Sequence, residues 1–134
     1  MLVNQQFIEL GEGFGDVHEI CELIHTNSSR LHKTFILAAP TPSGYALSLA
    51  VAFKPANGGF FMPVYICREG IIQQDNQKSK RRLLFEETAE KAGSTPVYIE
   101  LKHSSEFAER DLFFQYVTGI LRLNNLLPPL HYLL

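Results

Sequence analysis

The sequence predicts an α+β fold, in which a mainly antiparallel sheet of four to five strands packs with three helices in the order β-α-β-β-β-α-β-α. Two observations lead to this prediction. Three strand-like runs follow one another through short connections, which favours an antiparallel meander. Segments with helical periodicity precede and follow the meander. The 134 residues of the chain fit one domain, which we place over residues 1–134.

The first part of the chain predicts a short strand and a helix. Residues 7–10 form the strand, and the helix covers residues 16–27. Asp16 followed by Glu19 has the spacing of a capping box at the helix start. Apolar residues recur along one face of this helix, at Phe14, Val17, Ile20, Cys21 and Ile24.

The meander strands are predicted over residues 31–39, 45–53 and 60–67. Turn-forming prolines, glycines and an asparagine separate them. In the middle run, large apolar residues alternate with small ones. We therefore expect a central strand whose small face is closely covered by another element.

The second half predicts a helix over residues 80–92, with Gly93 just past its end, then a strand over residues 96–101. A third helix starts at Ser104 or Ser105 and runs to about residue 124. It is apolar nearly all round between residues 112 and 123, which predicts burial on several sides.

Composition restricts the classes of function. The formal net charge of −2 gives no general attraction to nucleic acid or to an anionic membrane. Two cysteines, Cys21 and Cys67, are too few for a disulfide framework and suit core positions in a reducing compartment. No secretory signal and no apolar run long enough for a bilayer are visible. We therefore expect a cytoplasmic protein without a membrane partner.

Acidic residues are missing from a long central stretch. No Asp or Glu occurs from Leu23 to Arg68, which covers the three meander strands. Hydrolases and metal-dependent nucleases use carboxylates to bind metal ions or to move protons. The gap argues against such chemistry on these strands. We predict no catalytic residue, no metal site and no cofactor, and the sequence leans against an enzyme.

One candidate ligand site lies at the predicted end of the third meander strand. Tyr65, Arg68 and Glu69 cluster there, and Glu69 is the first carboxylate after the gap. Ligand sites of open sheets gather at strand ends. A simple turn with a surface ion pair is the alternative explanation.

A basic cluster at the start of the second helix is a candidate anion site. Its members are Lys78, Lys80, Arg81 and Arg82. The helix dipole disfavours cations at this position, so an anionic partner would give them a role. The alternative is a solvated face in which pairs such as Arg82 with Glu86 neutralise the charge.

Two other patterns have simpler explanations. The glycines at positions 11, 13 and 15 lack the spacing of a dinucleotide or Walker loop and fit a tight turn. His18, Glu22 and His25 share one helix face but lack the order of a known zinc motif. A solvated helix surface explains them.

The apolar, proline-broken C-terminal residues 126–134 give the strongest indication of an interaction. Such a tail must dock on its own domain or cover a partner. Together with the apolar third helix it predicts a homodimer, with self-docking as the alternative.

The order of elements from the first helix onward resembles that of restriction-endonuclease-like nucleases. This resemblance implies an Asp from the second core strand and a Glu-x-Lys from the third. The matching strands, residues 45–53 and 60–67, carry no acidic residue. The resemblance therefore covers the order of elements and not the active site.

A second resemblance covers most of the chain. Residues 6–14, 64–70 and 119–125, followed by Pro128-Pro129-Leu130, resemble an uncharacterised family of small cytosolic proteins from Bacillus-type bacteria. This resemblance implies a bacterial host and no particular activity.

These observations predict a non-enzymatic cytoplasmic binding or interaction protein. It forms a homodimer and can meet an unidentified protein partner through its tail. One alternative is a nucleic-acid-associated protein with a degenerate nuclease-like fold, which would use the basic cluster. The other is an enzyme that acts on a small anionic metabolite, with Tyr65, Arg68 and Glu69 at its site.

Overall fold

The computed structural model describes residues 4–11, 16–55, 61–73 and 78–127. These residues form five strands, β1 (Asn4–Gly11), β2 (Leu31–Thr41), β3 (Gly44–Phe53), β4 (Phe61–Gln73) and β5 (Val97–Glu100). They also form three α-helices, α1 (Asp16–Thr26), α2 (Lys80–Lys91) and α3 (Arg110–Leu123). Two short 3₁₀ turns, Ser28–Arg30 and Ser104–Glu106, precede β2 and α3.

The sheet is mixed and not purely antiparallel. Its strand order is β1-β4-β3-β2-β5. The short connections of β2, β3 and β4 produce the predicted antiparallel meander. The outer strands β1 and β5 run parallel to β4 and β2. Helices separate both outer strands from the meander along the chain, and connections of that length permit parallel pairing.

Helices cover both faces of the sheet, which confirms the α+β class. One core layer joins α1 and α2 to the sheet and includes Ile20, Leu49 and Phe85. The other joins α3 to the opposite face and includes Ala50 and Val117. The small face of β3 packs under α3, as its alternation predicts, and the large face packs under α1 and α2.

The sequence places residues 71–73 in a loop, whereas the structure places them in β4. Ile71 is 3% exposed and pairs with Leu47, so burial of its side chain extends the strand. Both cysteines are buried, as expected of core residues.

The third helix starts later than predicted and is not buried all round. Ser104–Glu106 form a 3₁₀ turn, and Phe107 is extended with φ −108° and ψ 139°, so the helix begins only at Arg110. Its apolar residues Leu112 and Leu123 are 44% and 85% exposed. Only one face of α3 packs on the sheet, because the sheet is its single neighbouring layer.

Three predictions fall largely outside the described residues. These are the glycine turn after Gly11, the turn before the third meander strand, and the apolar tail, of which residues 12–15, 56–60 and 128–134 are not described. The homodimer consequently stays a prediction. Among the helices that the structure describes, none is long and apolar enough to cross a membrane.

His32 makes the stability of the fold depend on pH. Its ring is half-buried in β2, and Nε2 donates to the backbone oxygen of Leu126 at 3.2 Å. Burial lowers the pKa of His32, partly offset by the Leu126 carbonyl, while Lys33 and Lys54 lower it further. The unfolded chain therefore binds a proton more readily than the folded one. The stability that the neutral His32 ring contributes is fully present above the unfolded pKa of about 6.5. It is lost as the pH falls through the lower pKa of the folded state.

We expect the free energy of unfolding to decrease between pH 7 and pH 5, measured by urea unfolding at each pH. His32→Gln keeps a donor for Leu126 but does not titrate, so its profile should be flatter. His18→Gln on the exposed side of α1 is the matched control and should keep the wild-type slope. An unchanged slope in His32→Gln would show that other groups cause the pH dependence.

Candidate functional site

A bulge in β4 organises the polar residues of the candidate site. The register shifts between Leu47 and Leu49, where residues 68–70 lie opposite Ser48 alone. The middle residue, Glu69, has a φ of 52°. This left-handed conformation costs a residue with a Cβ atom about 1–2 kcal/mol. The backbone N–H of Glu69 donates to the Ser48 hydroxyl at 2.8 Å, which explains why a serine is buried in β3.

The Glu69 carboxylate joins the bulge to the segment that precedes α3. Its Oε1 accepts the backbone N–H of Ser104 at 2.8 Å. Its Oε2 lies 3.1 Å from Nε2 of His103. The Glu69 side chain is only 14% exposed, so water screens these contacts less than it screens a surface pair.

Hydrogen bonds assign one tautomer to the His103 ring. Nδ1 accepts the backbone N–H of Ser105 at 3.1 Å, which caps the 3₁₀ turn. A ring nitrogen that accepts carries no proton, so the neutral ring has its proton on Nε2 and donates it to Glu69. The Ser105 hydroxyl oxygen lies 2.9 Å from the same Nδ1. We name this carboxylate–imidazole–hydroxyl series, Glu69–His103–Ser105, the relay.

A second charged network anchors the relay. Arg68 Nε donates to Glu9 Oε1 at 2.8 Å, and Arg68 Nη1 donates to the Ser104 hydroxyl at 3.1 Å. Glu9 Oε2 also accepts from Arg110 Nη1 at 3.0 Å. These contacts connect β1, β4, the second 3₁₀ turn and the start of α3. The segment that follows His103 is thereby held against the sheet.

The relay borders a pocket between the β2–β3 turn and the second 3₁₀ turn. This pocket has a volume of about 480 Å³ and is lined by Pro40, Thr41, Pro42, His103, Ser105 and Glu106. Two prolines form its apolar part, and the other four lining residues are polar or charged. Within the described ranges the buried Thr41 hydroxyl has no hydrogen-bond partner, which is uncommon for a buried polar group.

The structure brings together two of the three residues predicted at the strand end. Arg68 and Glu69 lie inside β4, because the strand continues past the bulge to Gln73. Tyr65 lies on the opposite face from Arg68, since side chains alternate along a strand and their spacing is odd. Tyr65 packs edge-on against Phe53 at 5.8 Å and lines a separate cavity of about 200 Å³. A ligand role for Tyr65 stays a prediction.

Sequence reasoning missed Glu9, His103 and Ser105 as members of this site. Glu9 lies far from the other residues along the chain and reaches Arg68 only because β1 pairs with β4. A histidine followed by two serines matches no established motif. The available signal was its chemistry, since such a histidine can cap a turn or activate a hydroxyl.

The basic cluster is paired largely within its own segment. Lys78 and Arg82 both contact Glu86, at 3.0 and 3.1 Å, which includes the predicted Arg82–Glu86 pair. Arg82 also donates to Gln73 at 2.7 Å and lies 5.6 Å from the centre of the Tyr98 ring. These contacts reduce the charge available to an anion. Anion binding stays a prediction for the four members, Lys78, Lys80, Arg81 and Arg82.

Metal ligands do not gather in the parts of the chain that the structure describes. No group of three or more His, Cys, Asp or Glu side chains there could hold a metal ion. His18, Glu22 and His25 are exposed on α1, in agreement with a solvated helix face.

Comparison with known proteins identifies a family but no activity. A family model described as "Domain of unknown function (DUF7147)" matches residues 3–127. Searches of curated proteins and of solved structures find no match. The family match agrees with the predicted uncharacterised family, and it spans every residue of the relay and of its anchoring network. The bacterial host and the nuclease-like resemblance stay untested.

The strain at Glu69 can be measured with a matched pair of variants. Glu69→Gly and Glu69→Ala both remove the carboxylate, but only glycine adopts the left-handed backbone without a steric cost. We expect the free energy of unfolding of the glycine variant to be about 1 kcal/mol higher than that of the alanine variant. This gain is smaller than the full strain, because glycine also makes the unfolded chain more flexible. Urea unfolding measures the difference. Equal stabilities would contradict a strained backbone at this position.

Proposed function

Because the chain belongs to the DUF7147 family, whose function is unknown, we propose its function from the geometry of the site alone. The protein binds a small polar ligand in the pocket between the β2–β3 turn and the Ser104–Glu106 turn. The ligand is uncharged or cationic and carries hydroxyl or amino groups.

The observation that carries this proposal is the use of a strained bulge to fix a histidine beside a pocket. A non-glycine residue in the left-handed region persists only where its surroundings determine it, and such residues cluster at binding and active sites. The bulge directs the Glu69 carboxylate to Nε2 of His103, while the His103 ring lines the pocket. The strained backbone at Glu69 therefore helps to orient the His103 ring, which lines the pocket.

Charges at the pocket favour this ligand class over the anionic metabolite considered from the sequence. Glu106 is an exposed carboxylate on the pocket wall and would repel an anion. The Arg68 guanidinium donates to Glu9 and Ser104 and does not line the pocket. A ligand hydroxyl or amine can donate to Glu106, and a ligand hydroxyl can also accept from Ser105.

Other sequence-based predictions concern different surfaces and remain open to separate tests. Homodimerisation and a protein partner rest on the tail, of which the structure describes only Leu126 and Leu127. Nucleic-acid binding rests on the basic cluster, of which Lys78 and Arg82 contact Glu86. The cytoplasmic location also stays a prediction.

Thermal unfolding against a defined panel tests the ligand class. The panel contains neutral polyols, amino alcohols and the phosphate esters of the same compounds. We expect stabilisation by neutral or amino members and none by their phosphate esters. A ligand at 100 times its Kd adds about 2.7 kcal/mol, which corresponds to a shift of several degrees in Tm for a domain of this size.

Two variants, each of which neutralises one carboxylate, test the role of charge at the pocket. Glu106→Gln removes the repelling charge and should allow the phosphate esters of a stabilising compound to bind. Glu87→Gln changes an exposed carboxylate on α2 and should leave the pattern unchanged. Stabilisation by phosphate esters alone, or a pattern that Glu106→Gln does not alter, would count against the proposed ligand class.

A further inference from the structure

We propose that Ser105 is a nucleophile and that the pocket transfers acyl groups from small esters, an inference that rests on the proposed binding function. The Ser105 hydroxyl lies 2.9 Å from Nδ1 of His103, and the other ring nitrogen lies 3.1 Å from the Glu69 carboxylate. A nucleophile beside a base, with a third group that orients the base, is the arrangement by which such sites are recognised. Ser105 is exposed and lines the pocket.

The relay uses the two imidazole nitrogens in a defined way. Nδ1 is unprotonated because it accepts the Ser105 N–H, so it can take the hydroxyl proton. Nε2 carries the proton that faces Glu69, and the ionised carboxylate stabilises the imidazolium that forms. In serine proteases the nucleophile faces Nε2 instead, but base catalysis requires only an accepting nitrogen within reach.

Proton transfer to Nδ1 has a second consequence for the backbone. A protonated Nδ1 no longer accepts the Ser105 N–H, so this N–H becomes available when negative charge develops on the substrate carbonyl oxygen. The backbone N–H of the nucleophile itself is a donor of the oxyanion hole in serine proteases. The next two N–H groups are engaged within the turn, by the carbonyls of His103 and Ser104. With so few donors we expect slow turnover and a preference for activated esters over amides.

The reaction balances without any added co-reactant other than water. Ser105 Oγ forms a bond to the ester carbonyl carbon, and its proton moves to His103 Nδ1. The C–O bond to the alcohol breaks, and the alcohol leaves with that proton. Water then attacks the acyl-serine, passes its proton to Nδ1, and the acid leaves as the proton returns to Ser105 Oγ.

A fluorophosphonate probe tests the nucleophile directly. Its phosphorus would bond to Ser105 Oγ as fluoride leaves, and mass spectrometry of peptides from the folded full chain locates the label. We expect the label on Ser105, none at this site in Ser105→Ala, and unchanged labelling in Ser29→Ala. Ser29 is an exposed serine in the other 3₁₀ turn, Ser28–Arg30, and is a matched control.

The variant His103→Asn distinguishes a histidine that acts as a general base from one that only caps the turn. Asparagine accepts a backbone N–H at an N-cap as well as other residues do, so the cap of the turn should be preserved, and labelling rates are compared at a temperature at which both proteins are folded. Asparagine cannot take the hydroxyl proton, so labelling should slow by at least about 100-fold, the lower end of the effect of a positioned general base. Equal labelling rates in this variant and the wild type would overturn the proposal.

The remaining outcomes distinguish this inference from the proposed binding function. Absence of labelling, or labelling spread over several serines, overturns the nucleophile; if polyols or amino alcohols still stabilise the protein, the binding function stands. Absence of both labelling and stabilisation overturns both. Labelling of Ser105 without any stabilising compound supports the nucleophile and overturns the proposed ligand class.

Discussion

The bulge in β4 is the constraint on which the site depends. Residues 68–70 lie opposite a single residue of β3, so the strand gains two residues and not one. Side chains alternate with a period of two, and an insertion of two therefore preserves the faces on either side. Cys67 before the bulge and Ile71 after it belong to the same core layer. The sheet can thus hold a strained, polar segment at no cost to the pattern of its core.

Local patterns were sufficient for most elements, because those elements depend on short-range physics. The faces of α1 and β3 follow from periodicity alone, and short connections determine the meander. The outer strands could not be inferred in this way. The parallel pairs of β1 with β4 and of β5 with β2 depend on the path of the chain across the helices, which no local pattern records. The start of α3 also depends on a side-chain cap at His103 that competes with helix formation.

The candidate site was only partly visible for the same reason. Arg68 and Glu69 stand out in the sequence because a carboxylate follows a long gap, and they lie side by side in the bulge of β4; their role in ligand binding stays a prediction. Tyr65 was grouped with them by nearness in sequence, although its odd spacing from Arg68 already implies the opposite face. His103 and Glu69 lie 34 positions apart in the chain. Their contact involves a left-handed backbone at Glu69, a conformation that is uncommon for glutamate. Sequence reasoning was weakest where the backbone departs from its preferred conformations, as expected where function opposes local preference.

The absence of acidic residues from Leu23 to Arg68 acquires a different meaning in the folded chain. The gap argues against catalysis on the meander strands, but the site draws its carboxylates from outside it, Glu9 on β1 and Glu69 in the bulge. Glu9 contacts two arginines and anchors the scaffold, whereas Glu69 contacts the His103 ring and the backbone N–H of Ser104. An imidazolium formed at His103 would therefore face the Glu69 carboxylate directly. The two carboxylates thus have separate tasks: Glu9 holds the surrounding segments together through two arginines, and Glu69 orients the His103 ring.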